Sequence, residues 1–103
     1  MSHLIVLFNL KTSKSHADYE AWATTSDLPS VNSLKSVDNC KILRSNGLMG
    51  SGAAAPYQYI EVIEINSIEG LIVDLEGPIM QKISAQFREF ADNPVFIMAD
   101  ALA

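Results

Sequence analysis

The chain has one cysteine, Cys40, in 103 residues, so it cannot form an internal disulfide. A lone thiol fits a reducing compartment, and a cytoplasmic protein is expected. Cys40 itself reads better as a small apolar residue inside a strand than as a nucleophile. Histidine is nearly as scarce. His3 and His16 have no Cys, Asp or His partner at the spacing of a metal site, and no Ser-His-Asp order can be read. His16 is expected to face solvent. Neither a metal nor another cofactor is expected. Basic residues are also few: seven Lys and Arg, scattered, stand against twelve Asp and Glu, for a net charge of −5. Phosphate neutralisation needs clustered cations, so no nucleic-acid partner is expected. The same balance argues against an anionic membrane surface. No stretch approaches the length of a bilayer-spanning helix. The run from Leu4 to Phe8 is short, lacks a basic leader and is followed by Asn9 and Lys11, so it reads as a buried strand rather than a signal core. Residues 46–55 are rich in Gly and Ala without any charge, but they join two strands and open no phosphate-binding helix. They read either as a mobile lid or as a flexible hairpin loop.

What remains is an ordinary globular composition, 49% hydrophobic and 18% charged, and residues 1–103 are expected to form one domain. Apolar patterning predicts strands over 3–10, 37–44, 57–65 and 95–101. A pair of helices is predicted over 15–34. A short helix carries Ile68, Leu71, Ile72 and Leu75, and Gly77-Pro78 breaks it. A longer helix carries Ile79, Ile83, Phe87 and Phe90 on one stripe, and Asp92-Asn93-Pro94 ends it. The order β-α-β-β-α-β predicts an α+β, ferredoxin-like fold with two helices over one face of a four-stranded antiparallel sheet. A sheet with one wet face should alternate apolar and polar residues. Here Leu4, Val6 and Phe8 point one way and Ile5 and Leu7 the other, and the third and fourth strands repeat the pattern. Helices cover only one face, so the other is expected to pack on a second copy in a two-fold homodimer.

The stretch from Tyr19 to Val31 carries the densest local signal. Tyr19, Trp22, Ala23 and Ser26 fall at i, i+3, i+4 and i+7 on one helical face, and Ser15 can cap the start. Leu28 precedes Pro29, so the first helix is expected to end near Ser26, with Pro29 in the first turn of a second. Asp27 is then the natural N-cap of that second helix. A carboxylate at such a junction can also face a cleft.

The motifs Tyr19-Glu20-x-Trp22 with Asp27-x-Pro29, Leu34-x-Ser36-Val37, Pro56-Tyr57-x-Tyr59-Ile60-Glu61 and Phe90-Ala91-Asp92-x-Pro94 span nearly the whole chain. In this order they resemble the RedY-like proteins of the dimeric α+β barrel superfamily, which are encoded in gene clusters for prodigiosin-type tripyrrole pigments. The resemblance implies a dimeric α+β barrel. It also implies a place in bacterial pigment biosynthesis, beside other pathway enzymes. A planar pyrrole or bipyrrole intermediate is the implied ligand. Related barrels include polyketide cyclases, small oxygenases and haem-degrading enzymes, and fold alone chooses none of them.

Acid–base chemistry is the most plausible kind, with Asp27, Tyr59 and Glu61 as candidate catalytic residues. In related barrels a His often occupies the helix-end position held here by Asp27. A carboxylate set against Trp22 and Tyr59 would be poorly solvated, and its pKa would rise toward working pH. Glu61 reads as a second acid–base group or as an interface residue paired with Lys or Arg. Phe8, Asn9, Tyr19, Trp22 and Ser26 are the candidate ligand-binding residues. Phe8 and Trp22 would stack on a planar heteroaromatic unless they are simply core. Asn9 closes the first strand at the expected pocket rim. Some haem-degrading barrels use such an Asn with a Trp and a His, but no His stands on the second helix here. Three functions follow: an enzyme assisting a condensation or cyclisation, a non-catalytic carrier of the intermediate, and a cofactor-free oxygenase.

Overall fold

The computed structural model describes residues 2–103. Four strands, β1 (Ser2–Leu10), β2 (Val37–Arg44), β3 (Tyr59–Ile65) and β4 (Ala91–Asp100), form one sheet in the order β2-β3-β1-β4 with every neighbouring pair antiparallel. Helices α1 (His16–Trp22), α2 (Leu28–Asn32), α3 (Ile68–Leu75) and α4 (Pro78–Phe90) complete the ferredoxin-like α+β fold. Among the described residues no helix is long and apolar enough to cross a membrane.

Pairing places residues that share a row on the same sheet face. The helix-side face carries Glu61, Val6 and Phe96 in one row and Ile63, Leu4 and Met98 in the next. The opposite face carries Leu43, Ile60, Leu7 and Val95 in one row, with Val62, Ile5 and Ile97 beside it and Lys41 at the β2 end of that second row. Both faces are therefore mainly apolar.

At one end of the helix-side core Phe8 is fully buried. Its ring stacks on Tyr59 at 5.5 Å and meets Tyr19 and Phe87 edge-on at 5.4 and 4.9 Å. The edge strand β2 is protected by a side chain. Asn32 takes the Cys40 N–H at 2.9 Å and donates to the Cys40 and Leu28 carbonyls at 3.1 and 3.0 Å. Asn32→Ala strands two backbone groups at that edge. The expected cost is about 2 kcal/mol, or roughly 10 °C in Tm for a domain of this size, read by thermal denaturation.

Four expectations need correction. The helix does not stop at Ser26: Ala23–Asp27 forms a π-helical turn that runs straight into α2, and the Leu28 N–H bonds the Ala23 carbonyl. Leu28 stays helical at φ −57°, ψ −48° despite the following proline. The wide turn moves carbonyls away from the Pro29 ring, which would clash with the i−4 carbonyl in a regular α-helix. Asp27 is accordingly no N-cap. It is helical, and its side chain makes no capping bond. The third correction concerns β4, which starts at Ala91 rather than Val95. Ala91 and Asp92 pair with Leu10 and Asn9, and the register then slips. Asn93, at φ 46°, takes up the bulge in a left-handed conformation that Asn tolerates. In the stripe of α4 only Ile79 departs from expectation: it is 64% exposed and Met80 is buried instead, while Ile83, Phe87 and Phe90 pack inward.

Candidate active site

Beyond the aromatic end, the layer between sheet and helices opens into a cavity of about 300 Å³. Leu4, Val6 and Ile63 form its floor. Val31 and Leu34 close it from the α2 side, and Leu71, Met80 and Ile83 from α3 and α4. Two acids enter this apolar space. Asp27 comes from the π-helical turn and Glu61 from the middle of β3, and they are only 4% and 5% exposed. The turn explains the first: an extra residue re-aims a side chain that a regular helix would point elsewhere, and such turns recur at functional sites. Strand alternation explains the second, since Glu61 lies between Tyr59 and Ile63 on the helix-side face.

A buried carboxylate ordinarily needs a cation or several donors. Here no side chain or backbone group among the described residues hydrogen-bonds the Asp27 carboxyl. Glu61 has one weak contact, from the Cys40 thiol at 3.5 Å. Burial pushes Asp27 up to about 6. Burial, and then the negative charge of Asp27, push Glu61 up to about 8, against a small opposing effect of the Cys40 contact. Near neutral pH the two carboxyls therefore hold about one proton between them. One group can donate while the other accepts. Burial and the two acids also hold the Cys40 thiol far above its ordinary value, so it stays protonated. Tyr19 is held protonated by the same causes, and its fully buried hydroxyl has no hydrogen-bond partner among the described residues. No group of three His, Cys, Asp or Glu among those residues is placed to hold a metal ion.

The family model described as REDY-like protein HapK matches residues 2–102. The chain belongs to the REDY-like HapK family. Solved structures agree on the fold. HapK from Hahella chejuensis is 23% identical, with a TM-score of 0.79 over 99% of this chain and 93% of its own. A variant of SnoaB, a cofactor-independent oxygenase from Streptomyces nogalater, is 10% identical, with a TM-score of 0.78 over 99% and 93%. A dimeric ferredoxin-like protein of unknown function from Thermobifida fusca is 18% identical, with a TM-score of 0.72 over 97% and 90%. A sequence search of curated proteins finds no match.

In this REDY-like chain Asp27 and Glu61 meet in the cavity, and the other candidate residues lie elsewhere. Tyr59 points its hydroxyl to the far end, donating to Glu20 Oε2 at 2.7 Å and lying 2.7 Å from His16 Nδ1. Arg44 bonds the same Glu20 oxygen at 3.1 Å. Phe8 and Tyr19 are closed into the aromatic core. Asn9 is a tether: it accepts the Gln58 N–H at 2.9 Å and donates to the Pro56 carbonyl at 3.1 Å. Trp22 packs on Phe90 and donates to Gln86 at 2.9 Å. Ser26 is half-buried and does not line the cavity. Asp27 thus shares the cavity with Glu61 and mainly aliphatic groups, Trp22 and Tyr59 do not line it, and Glu61 has no Lys or Arg partner among the described residues. The Gly-rich loop 46–55 lies beside His16 and Arg44, so it does not cover the acid cavity. Sequence reading passed over Ser84, Arg88 and Phe96, which also line it. The signal was present for two of them: Ser84 and Arg88 interrupt the apolar stripe of α4 at i+4 and i+8 from Met80.

Proposed function

We propose that the protein is a cytoplasmic homodimer of bacterial secondary metabolism that binds a planar pyrrole-type intermediate of tripyrrole pigment synthesis and assists its condensation or cyclisation, with Asp27 and Glu61 as the acid–base pair. One observation carries this reading: two buried carboxyls share a largely apolar cavity, and among the described residues neither is ion-paired and the one donor to either is the weak Cys40 thiol. Such a pair is costly in a purely structural core and useful where a proton must be given and another taken. In condensation of a bipyrrole aldehyde with a monopyrrole, the protonated acid donates to the aldehyde oxygen as the pyrrole carbon attacks. The ionised acid removes the proton from the attacked ring position. The acid that took the ring proton then gives it to the carbinol oxygen, water leaves, and the other carboxylate takes the ring N–H proton, which gives the conjugated methene and restores the pair. The aliphatic walls suit the flat faces of the rings, and membership of the REDY-like HapK family supports the pathway. The test follows the red tripyrrole absorbance from the two precursors with and without protein. A protein-dependent rate supports the enzyme. Tight binding without acceleration favours a carrier of the intermediate, and oxygen consumption favours an oxygenase.

Homodimer formation rests on the helix-free sheet face. Leu43, Val95 and Ile97 remain 45%, 38% and 42% exposed there, in rows continuous with Ile5, Leu7, Ile60 and Val62. A contiguous apolar face of this kind marks an interface. Ile97→Lys places a charge on its β4 side without touching the cavity. Light scattering is expected to give twice the 11.2 kDa chain mass for the native protein and the single-chain mass for the variant. A native protein of single-chain mass overturns the dimer.

A further inference from the structure

We infer that Arg88 sets the ligand class of this cavity: a flat, apolar molecule whose outer end carries a carboxylate, with its polar inner end at Asp27 and Glu61. The inference rests on the acid–base reading above and adds the other end of the molecule. Arg88 stands in the last turn of α4, on the same stripe as Met80, Ser84 and Phe87, and all four line the cavity. It is exposed where the two acids are buried, so it marks the rim and they mark the depth. No other cation lines the cavity among the described residues. Arg88 also makes no salt bridge or side-chain hydrogen bond among them. The only ion pair there is Arg44 with Glu20. Its own helix offers no acid one turn back, since positions 84 and 85 are Ser and Ala.

The charges therefore run from acidic inside to cationic outside along an aliphatic slot. An anionic group is repelled from the depth by two carboxyls and attracted at the rim by one guanidinium, whose planar fork matches a carboxylate. A ligand with a neutral outer end gains nothing from that arrangement. A helix-terminal Arg also complements the dipole of α4, and a Lys would do so equally well. The experiment must therefore read ligand discrimination rather than stability.

Calorimetry with 5′-formyl-2,2′-bipyrrole-5-carboxylate, its 5-carboxamide and 2,2′-bipyrrole-5-carbaldehyde supplies that readout, since the formyl end can enter toward the acids while the other end meets Arg88. The native protein is expected to bind the carboxylate about tenfold more tightly than the nearly isosteric amide. Arg88→Gln is expected to abolish the preference while leaving amide affinity unchanged, and Arg88→Lys to retain part of it. Binding of all three probes without carboxylate preference overturns the role of Arg88 and leaves the acid–base reading standing. A preference that survives in Arg88→Gln overturns it equally. If no probe binds, both readings fall together.

Discussion

Asp27→Asn is expected to lower the protein-dependent rate of tripyrrole formation by about 100-fold, at the low end of what general acid–base groups contribute. The substitution is nearly isosteric. It also removes no hydrogen bond, because the Asp27 carboxyl accepts none from the described residues. Folding and ligand binding should therefore survive, and the loss should fall on kcat rather than on KM. An amide cannot take the ring proton, and it removes the charge that adds to burial in keeping Glu61 protonated. Glu61→Gln is expected to lose a comparable factor, because it removes the donor and the charge coupling together. The double variant should be little worse than either single one, since the two carboxyls act as a unit around one shared proton. An unchanged rate in Asp27→Asn, with ligand still bound, leaves the cavity as a carrier site and removes the catalytic reading.

The strands were legible because their apolar runs are long and bounded by Gly, Asn and Pro. The doubly apolar sheet could be read from the same residues, since alternation needs no tertiary knowledge. Asp27 stood out because the stretch around it is unusual, but its stated cause was wrong. A pre-proline residue was expected to end the helix, whereas the chain solves the proline clash with a π-helical turn that keeps Leu28 helical. Glu61 was visible as an acid in a strand of apolar neighbours, yet its missing partner was not, because pairing is decided by side chains far away in sequence. Phe8, Tyr19 and Tyr59 show the opposite failure. An aromatic residue on an inward face has the same local signature whether it fills a core or lines a pocket. Here the stacking of Phe8 on Tyr59 closes that end of the layer. The cavity itself lies where Val31, Leu71 and Met80 from three helices face Leu4, Val6 and Ile63 of the sheet. No single-element pattern contains that information.

The same two acids should make the fold weaken as pH rises. A carboxyl whose folded pKa exceeds its unfolded value binds its proton more tightly when folded, so the unfolded state holds fewer protons through the interval between the two values. Stability is then fully present below the unfolded pKa and is lost as pH climbs through the folded one. For Asp27 that interval runs from 3.8 to about 6, and for Glu61 from 4.5 to about 8. Each pH unit over which one proton differs costs about 1.4 kcal/mol, so the loss across the window is several kcal/mol. Melting temperature should fall by more than about 10 °C between pH 5 and pH 8.5. Most single domains keep partnered carboxylates and behave the other way in their acid range. Glu61→Gln should flatten the upper part of the curve and be more stable than the native chain at pH 8.5, because a neutral amide escapes the cost of charging the cavity. That gain, set beside the loss of rate, is the expected signature of a group retained for chemistry at the expense of stability. A native melting temperature that stays level from pH 5 to 8.5 would mean that both acids ionise at ordinary values. The cavity would then have no proton to give near neutrality, and the acid–base mechanism would lose its donor.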